Sequence, residues 1–264
     1  MYKRQRYICK ECGKRFTALT NTIFDSKKIP ISEWIEYLLH LFEFHSINST
    51  AYDNRNSPTT GKYWLIKTFE VLKGIQNDVV LDGTVYLDET YFTKVRSKLV
   101  TKDGKKLRGI SRNKIGVGVA CNETKSIFIV TGTSKPSRKS TKETYSQHIA
   151  RGSVLVHDDE HSHSILIEEL ELESIVYPTA ETKELSDKDN PLYPVNNLHL
   201  LLKQFIRNHG AYDREHLQDW LNLFWFIMNE PKDKYDKVLK FIEMAVLSPK
   251  KVRYRDAMSS KHSK

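Results

Sequence analysis

Leu198, Leu201, Leu202 and Phe205 recur at i, i+3, i+4, i+7, the spacing of one buried helical face. Burying four such side chains is worth roughly 6–12 kcal/mol gross, so the apolar face decides how this helix sits. At 100° per residue, Asn196, His199, Lys203 and Arg207 fall on the other side, within an arc of about 80°. That polar stripe must look outward, into solvent or into a site. An amide oxygen, an imidazole, an ammonium and a guanidinium in a row suit a metal-bound phosphate. A solvated helix face is the alternative.

Toward the amino terminus, Ile35, Leu38, Leu39 and Phe42 predict a helix over 32–44, with Ser32 as N-cap and Glu33 in its first turn. A polar piece, 46–56, follows. Ser57 and Pro58 then open a second helix, as cap and first helical residue, with Leu65, Phe69 and Leu72 inside. This order is that of a helix-turn-helix, whose last helix would offer Thr59, Thr60, Lys62, Tyr63 and Lys67 to a DNA groove. Three small helices that merely pack together would look the same.

After Gln76 the period changes from helix to strand. Residues 79–81 and 84–87 are β-rich and end in Asp88-Glu89-Thr90, with further strands near 115–121 and 126–132. Their short connections suit antiparallel pairing. A helix over 141–150, a short buried strand over 154–156, a helix over 165–172 and a strand over 174–177 come next. A polar loop, 185–194, leads to the striped helix. The last strong helix, 213–228, has Leu217, Trp220, Leu221 and Phe224 inward. This order predicts an α/β domain with a mixed sheet flanked by helices, preceded by a small helical domain. The boundaries predicted are 1–25, 26–76, 77–230 and 231–264, the last a helix with a basic tail.

Composition narrows the partners. Net charge is +9, from 42 basic and 33 acidic residues, which favours a polyanion such as nucleic acid or an anionic membrane surface. No apolar run reaches the length of a membrane span, and the amino terminus has no apolar signal segment. Three cysteines, an odd count, point to a reducing, cytoplasmic setting and not to a disulfide scaffold. Cys9 and Cys12 form one half of a zinc knuckle; with only eight residues ahead of Cys9, no second pair is expected upstream, so Zn2+ at a partial ribbon is doubtful.

Acidic residues mark two predicted strand ends, Asp88 and Asp158. Carboxylates there hold hard divalent cations, and two ions about 3.5–4 Å apart can clamp the attacking and leaving oxygens of an in-line phosphoryl displacement. Asn196 could complete the set through its amide oxygen. Glu89 and Asp159 are neighbours, but successive strand side chains face opposite ways, so one of each pair should enter the site. Glu181 or Glu184 could replace Asn196 as third ligand. His157, His161 and His163 fit no recognised zinc spacing and read as surface or strand-flanking residues. Asp82 beside Gly83 reads as a turn.

Basic residues cluster from Arg96 to Lys114, including Lys105, Lys106 and Arg108 around an Asp103-Gly104 turn. Lys135, Arg138, Lys139 and Lys142 form a second group; Lys250, Lys251, Arg253 and Arg255 form a third. Three clusters flanking one acidic site read as a DNA track.

The segments Val85-Tyr86-Leu87-Asp88-Glu89-Thr90-Tyr91-Phe92, Gly152-Ser153-Val154-Leu155-Val156-His157-Asp158 and Pro194-Val195-Asn196-Asn197-Leu198-His199-Leu200-Leu201-Leu202-Lys203 resemble the three catalytic blocks of a bacterial insertion-sequence transposase. The family in question reads Asp, Asp, Asn (or Glu), Lys in its active site, with a zinc ribbon and a helix-turn-helix ahead of an RNase H-like core. Residues 217–222 resemble the block that follows. The resemblance implies Asp88, Asp158 and Asn196 as metal ligands, Lys203 on DNA, and His199 in a similar phosphate-orienting role. It further implies Mg2+ with Mn2+ as substitute, inverted-repeat ends and target DNA as partners, a homo-oligomer, and a bacterial, nucleoid-associated location. The half ribbon departs from the family pattern. An RNase H-like nuclease that cuts without joining, or an inert DNA-binding relic, are the rival expectations.

Overall fold

Alternation along one ten-residue strand organises the larger of two compact units, Gly74–Asn229. The computed structural model describes residues 5–25, 30–93, 103, 109–111, 113–209, 216–247 and 250–258. Seven strands and ten α-helices are assigned among them. In this unit, β3 (Thr84–Thr93), β4 (Lys114–Cys121), β5 (Ser126–Thr133), β6 (Val154–His157) and β7 (Glu173–Val176) form a sheet of order β5-β4-β3-β6-β7. The first three strands are antiparallel, and β3, β6 and β7 are parallel. This is the mixed sheet expected, with helices on its faces.

Val85 and Leu87 of β3 and Leu155 of β6 point to one face. There they meet Tyr145 of α4 (Arg138–Tyr145), Leu166 of α5 (Ser164–Leu170), and Ile149 and Leu172, all buried. On the other face, Val119 stands opposite Asp88, and Phe128 opposite Val119. The Phe128 ring meets Phe224 of α8 (Leu217–Met228) at 4.9 Å, and Phe224 meets Phe205 of α7 (Tyr193–Asn208) at 5.3 Å. Thus α7 and α8 cover the Asp88 face.

An edge strand with free amides and carbonyls invites pairing with other chains. On β5 these groups are taken by side chains: Gln76 bonds both N–H and C=O of Phe128, Gln218 accepts from the Val130 N–H at 2.9 Å, and the Trp225 indole donates to the Ser126 carbonyl at 2.6 Å. The four predicted inward residues of α8 are buried.

Several predicted features differ. Asp88 does not end its strand, because β4 pairs with β3 from Tyr86 to Thr93; only the parallel partner β6 stops at Leu87↔His157. Pro30, not Ser32, caps α1 (Ile31–Phe42), and the polar piece after it contains α2 (Ile47–Asp53), capped by Ser46. The buried face of α7 is rotated toward the stripe: it holds Val195, His199, Leu202, Phe205 and Ile206, with Leu198 and Leu201 only partly covered. A helix pressed between a sheet and a neighbouring helix buries a wider arc than the narrow apolar stripe in its sequence.

The other unit comprises Met1–Lys73 and Glu230–Lys264, so the carboxy-terminal segment is not a separate piece. Its core is aromatic: Trp34 of α1 stacks on Trp64 of α3 (Pro58–Leu72) at 4.3 Å, and Tyr37 meets Trp64 edge-on. Ser57 and Pro58 cap and open α3 as expected. The later helices α9 (Lys234–Leu247) and α10 (Tyr254–Ala257) belong here; Tyr63 donates to the Val252 carbonyl at 2.7 Å. Between α5 and α7 in the larger unit lies the one-turn α6 (Thr179–Thr182). Among the described residues no helix is long and apolar enough to cross a membrane.

Lys67 does not face outward. It is 1% exposed, its ammonium donates to the Ile23 carbonyl, and it lies 4.7 Å from the Tyr63 ring centroid and 5.7 Å from that of Trp34. The aromatic cage replaces water around the cation. Tyr63 is likewise buried, while Thr59 is exposed and Thr60 and Lys62 are half-buried. Lys67→Ala should therefore destabilise the protein by about 1.5–3 kcal/mol, the usual cost of losing a hydrogen bond to a buried charge. Urea denaturation measures this, and a change below about 0.5 kcal/mol would show that the cage does not hold the fold.

Candidate metal centre

The parallel register of β3 and β6 ends at Leu87↔His157, so the next residue on each strand line is an aspartate. Asp88 and Asp158 thus stand side by side where neighbouring strands are about 4.8 Å apart. Asp88 Oδ1 accepts from the Glu89 N–H at 2.7 Å, and Asp158 Oδ1 accepts from the Glu160 N–H at 3.1 Å. Burial, the charge of Asp158 and the charge of Glu89 push the Asp88 carboxyl up to about 7. Asp158 is raised too, first by burial. Two carboxylates that resist ionising together are a fitting donor set for a divalent cation, which removes both the repulsion and the desolvation cost.

From α7, His199 reaches Asp88: its Nδ1 lies 3.7 Å from Asp88 Oδ2. Its side chain is 8% exposed, and Nε2 is buried without a hydrogen-bond partner among the described residues. Burial, helped by the Lys203 charge one turn on, lowers its pKa to about 4, so the imidazole is neutral at pH 7. Asn196, one turn earlier, is half-buried; Lys203 and Arg207 are exposed. The stripe expected from the sequence is present, but its histidine belongs to the site's wall and not to a solvated face. Glu181 and Glu184 are exposed on α6 and the loop after it, as is Asp159.

Glu89 obeys the alternation and points to the opposite face, where it is far from idle. Its Oε1 accepts from the Tyr145 hydroxyl at 2.8 Å, and His163 Nε2 lies 3.3 Å from its Oε2. His163 Nδ1 meets His157 Nδ1 at 3.1 Å and stands 3.8 Å from Asp158 Oδ1, while His157 Nε2 is 3.0 Å from Ser174 Oγ. His163 has no exposed surface; burial opposes its charge, but the hydrogen bond and charge of Glu89, with Asp158 and Asp88, outweigh this and raise its pKa. Burial and the His163 charge lower His157 to about 4. A charged His163 donating to Glu89 and to a neutral His157 accounts for every contact. Of the histidines expected at the surface or flanking a strand, His157 does end β6, but it and His163 are buried in this network, whereas His161 is exposed. Spacing alone carried no signal of this. The available clue was that a strand placing Asp88 above the sheet must bury Glu89 below it, where a carboxylate needs partners.

Gly118 makes room for the network: a Cβ there would lie 2.2 Å from the Tyr145 hydroxyl.

The basic clusters are less free than their sequence suggests. Lys135 pairs with Glu160, Arg138 with Glu168, Lys139 with Glu143 and Lys142 with Glu169. Lys250 donates to the Glu70 carbonyl and Lys251 pairs with Asp25. Lys105, Lys106 and Arg108 lie outside the described residues. At the amino terminus, β1 (Tyr7–Ile8) and β2 (Arg15–Phe16) pair around a tight turn, with the Cys9 N–H bonded to the Lys14 carbonyl and Gly13 at φ 67°. Backbone N–H groups of Cys12 and Glu11, then the Cys12 side chain, lower the Cys9 pKa. The turn thus brings the Cys12 side chain against Cys9. Cys121 is a buried strand residue, its thiol pushed up to about 12 by burial.

No family model matches this chain, and no curated protein matches it. Among solved structures it is similar to the Mos1 strand transfer complex, at 15% identity, with 86% of this chain and 80% of that chain covered and a TM-score of 0.34. It is also similar to the Mos1 transposase catalytic domain with raltegravir and Mn, at 14% identity, 73% and 96% coverage and a TM-score of 0.34. For the Mos1 mariner paired end complex with Mn the values are 15%, 87%, 82% and 0.33. At such values the site must be judged on its own geometry.

Two outcomes follow. In metal-free protein the native state keeps a proton on Asp88 that the unfolded chain has released, so this group's stabilisation is complete below about pH 4 and is lost as pH rises to about 7. Asp88→Asn should flatten the fall in Tm between roughly pH 5 and 7.5, read by thermal denaturation in chelator; equal slopes would mean that Asp88 does not carry the strain. Gly118→Ala should destabilise by about 1–3 kcal/mol through overpacking, with unchanged stability in urea arguing against the Tyr145 contact.

Proposed function

We propose that this chain is a DNA transposase that cuts phosphodiester bonds at element ends and joins the freed 3′-hydroxyl to target DNA. The observation that carries the reading is the adjacency of Asp88 and Asp158, one residue past the end of the β3–β6 register, under the polar side of α7. The three sequence blocks that resemble transposase catalytic segments are the ones that meet here, which supports a transposase over other uses of an acidic pair.

Asp88 and Asp158 would hold the divalent ions, with α7 contributing a further ligand. Bound ions would supply Lewis-acid stabilisation of attacking and leaving oxygens in an in-line displacement. The protein's own contributions are positional. Main-chain N–H groups of Glu89 and Glu160 fix one oxygen of each aspartate, leaving the other oxygen available. Lys203 and Arg207, exposed on the next turns of α7, would bind the DNA phosphates flanking the scissile bond. The first three helices, with Thr59 and Lys62 accessible on α3, would contact the element end, and paired ends would require a multimer. A metal-bound knuckle at Cys9 and Cys12 would need further ligands, which this reading does not require.

The experiment is cleavage and joining with DNA flanking the coding sequence, in Mg2+ or Mn2+. Wild-type protein should nick the matched end and produce joined products from pre-cut ends. Asp158→Asn should lower cleavage by roughly 10²–10³-fold, on the order of the loss when a principal transition-state contact is removed, with DNA affinity changed little. Cleavage without joining would assign a nuclease instead, and an unaffected Asp158→Asn variant would remove that residue from the chemistry.

A further inference from the structure

Resting on the two-carboxylate reading above, we infer that His199 is itself a metal ligand, supplying an imidazole nitrogen to the ion held by Asp88, so that the centre is a mixed nitrogen–oxygen site preferring Mn2+ to Mg2+. The transposase pattern provides an oxygen at this place, from Asn196; the geometry favours its neighbour one turn on.

Three observations converge. His199 Nδ1 and Asp88 Oδ2 are 3.7 Å apart, too long for a hydrogen bond. Two donors bound to one ion at roughly 2.0–2.3 Å stand about 3–4 Å apart, which this separation matches. Second, the ring is almost wholly buried beside Asp88, so Nδ1, the nitrogen that faces the carboxylate, is held in place there. Third, Val195 and Leu202 on the same helix are buried, so α7 is anchored with the ring aimed at the sheet and not free to swing into solvent.

The consequence is selectivity. Mg2+ favours an all-oxygen, octahedral shell, whereas an imidazole nitrogen shifts a site toward transition metals. Of the two ions in question, Mn2+ gains from the nitrogen and Mg2+ does not.

The test uses the full chain with Mn2+ alone. Pulsed electron paramagnetic resonance should show a directly coordinated 14N coupling on bound Mn2+, converted to the 15N pattern when the protein is grown with 15N-histidine. His199→Asn should abolish that coupling and weaken Mn2+ binding by calorimetry at least roughly tenfold, with a smaller effect on Mg2+; Asn196→Ala should keep the coupling. Mn2+ that is lost in Asp88→Asn but shows no nitrogen coupling, or a coupling unaltered by histidine labelling, overturns the inference while leaving the carboxylate site standing. Where His199→Asn folds poorly, His163→Gln, which leaves His199 in place, should keep the labelled coupling; its loss there would assign the nitrogen to the histidines beside Asp158 and overturn the inference. No Mn2+ bound to wild-type protein, or Mn2+ retained by Asp88→Asn, overturns the carboxylate reading itself.

Discussion

Two like charges forced together at the end of a parallel strand pair are the constraint around which this domain is arranged. Asp88 and Asp158 cannot both ionise cheaply in a half-buried site. The sheet nevertheless fixes them there, because β3 is pinned to β4 along eight residues and to β6 along four. Strand pairing over that length leaves neither aspartate free to move aside. The repulsion is therefore relieved by opposite charge: His163 from beneath the sheet, and on the proposed reading a divalent cation from above it.

The lower half of this arrangement shows how one β-strand divides adjacent acids between two tasks. Asp88 and Glu89 are consecutive, so pleating sends them to opposite faces. Glu89 meets Tyr145 and His163 in the core, where each polar atom finds a partner. His163 then stands 3.8 Å from Asp158, linking the buried network to the upper site. Gly118 on β4 is part of the same solution, since any side chain there would occupy the space of the Tyr145 hydroxyl. Replacing a buried pair of this kind by half of itself leaves an uncompensated charge, the costly case.

Surface charge tells a more restrained story than the net +9 suggests. The lysines and arginine of α4 and the segment before it face glutamates, including Glu168 and Glu169 of α5, and these exposed pairs are worth little for stability. They do, however, reduce the positive potential those residues offer to a polyanion. Lys203 and Arg207 on α7 remain exposed.

Local pattern determined a good deal. Strand and helix order, the Ser57-Pro58 start of α3, the inward face of α8 and the Asp88 and Asp158 candidates all follow from periodicity, caps and residue type, which act over a few neighbouring residues. Tertiary structure decided the rest. Lys67 looked exposed because lysine usually is; only the fold brings Tyr63, Trp34 and the Ile23 carbonyl around it. His163 and His157 gave no zinc-like spacing, and their burial depends on Glu89, more than sixty residues earlier in the chain. On α7, sequence placed His199 among polar neighbours, yet packing across β3 and β4 turned the helix until that ring became part of the core wall. A stripe of side chains fixes which residues share a helix face, but the angle of that face to the sheet is set by partners distant in sequence, and no local rule contains it.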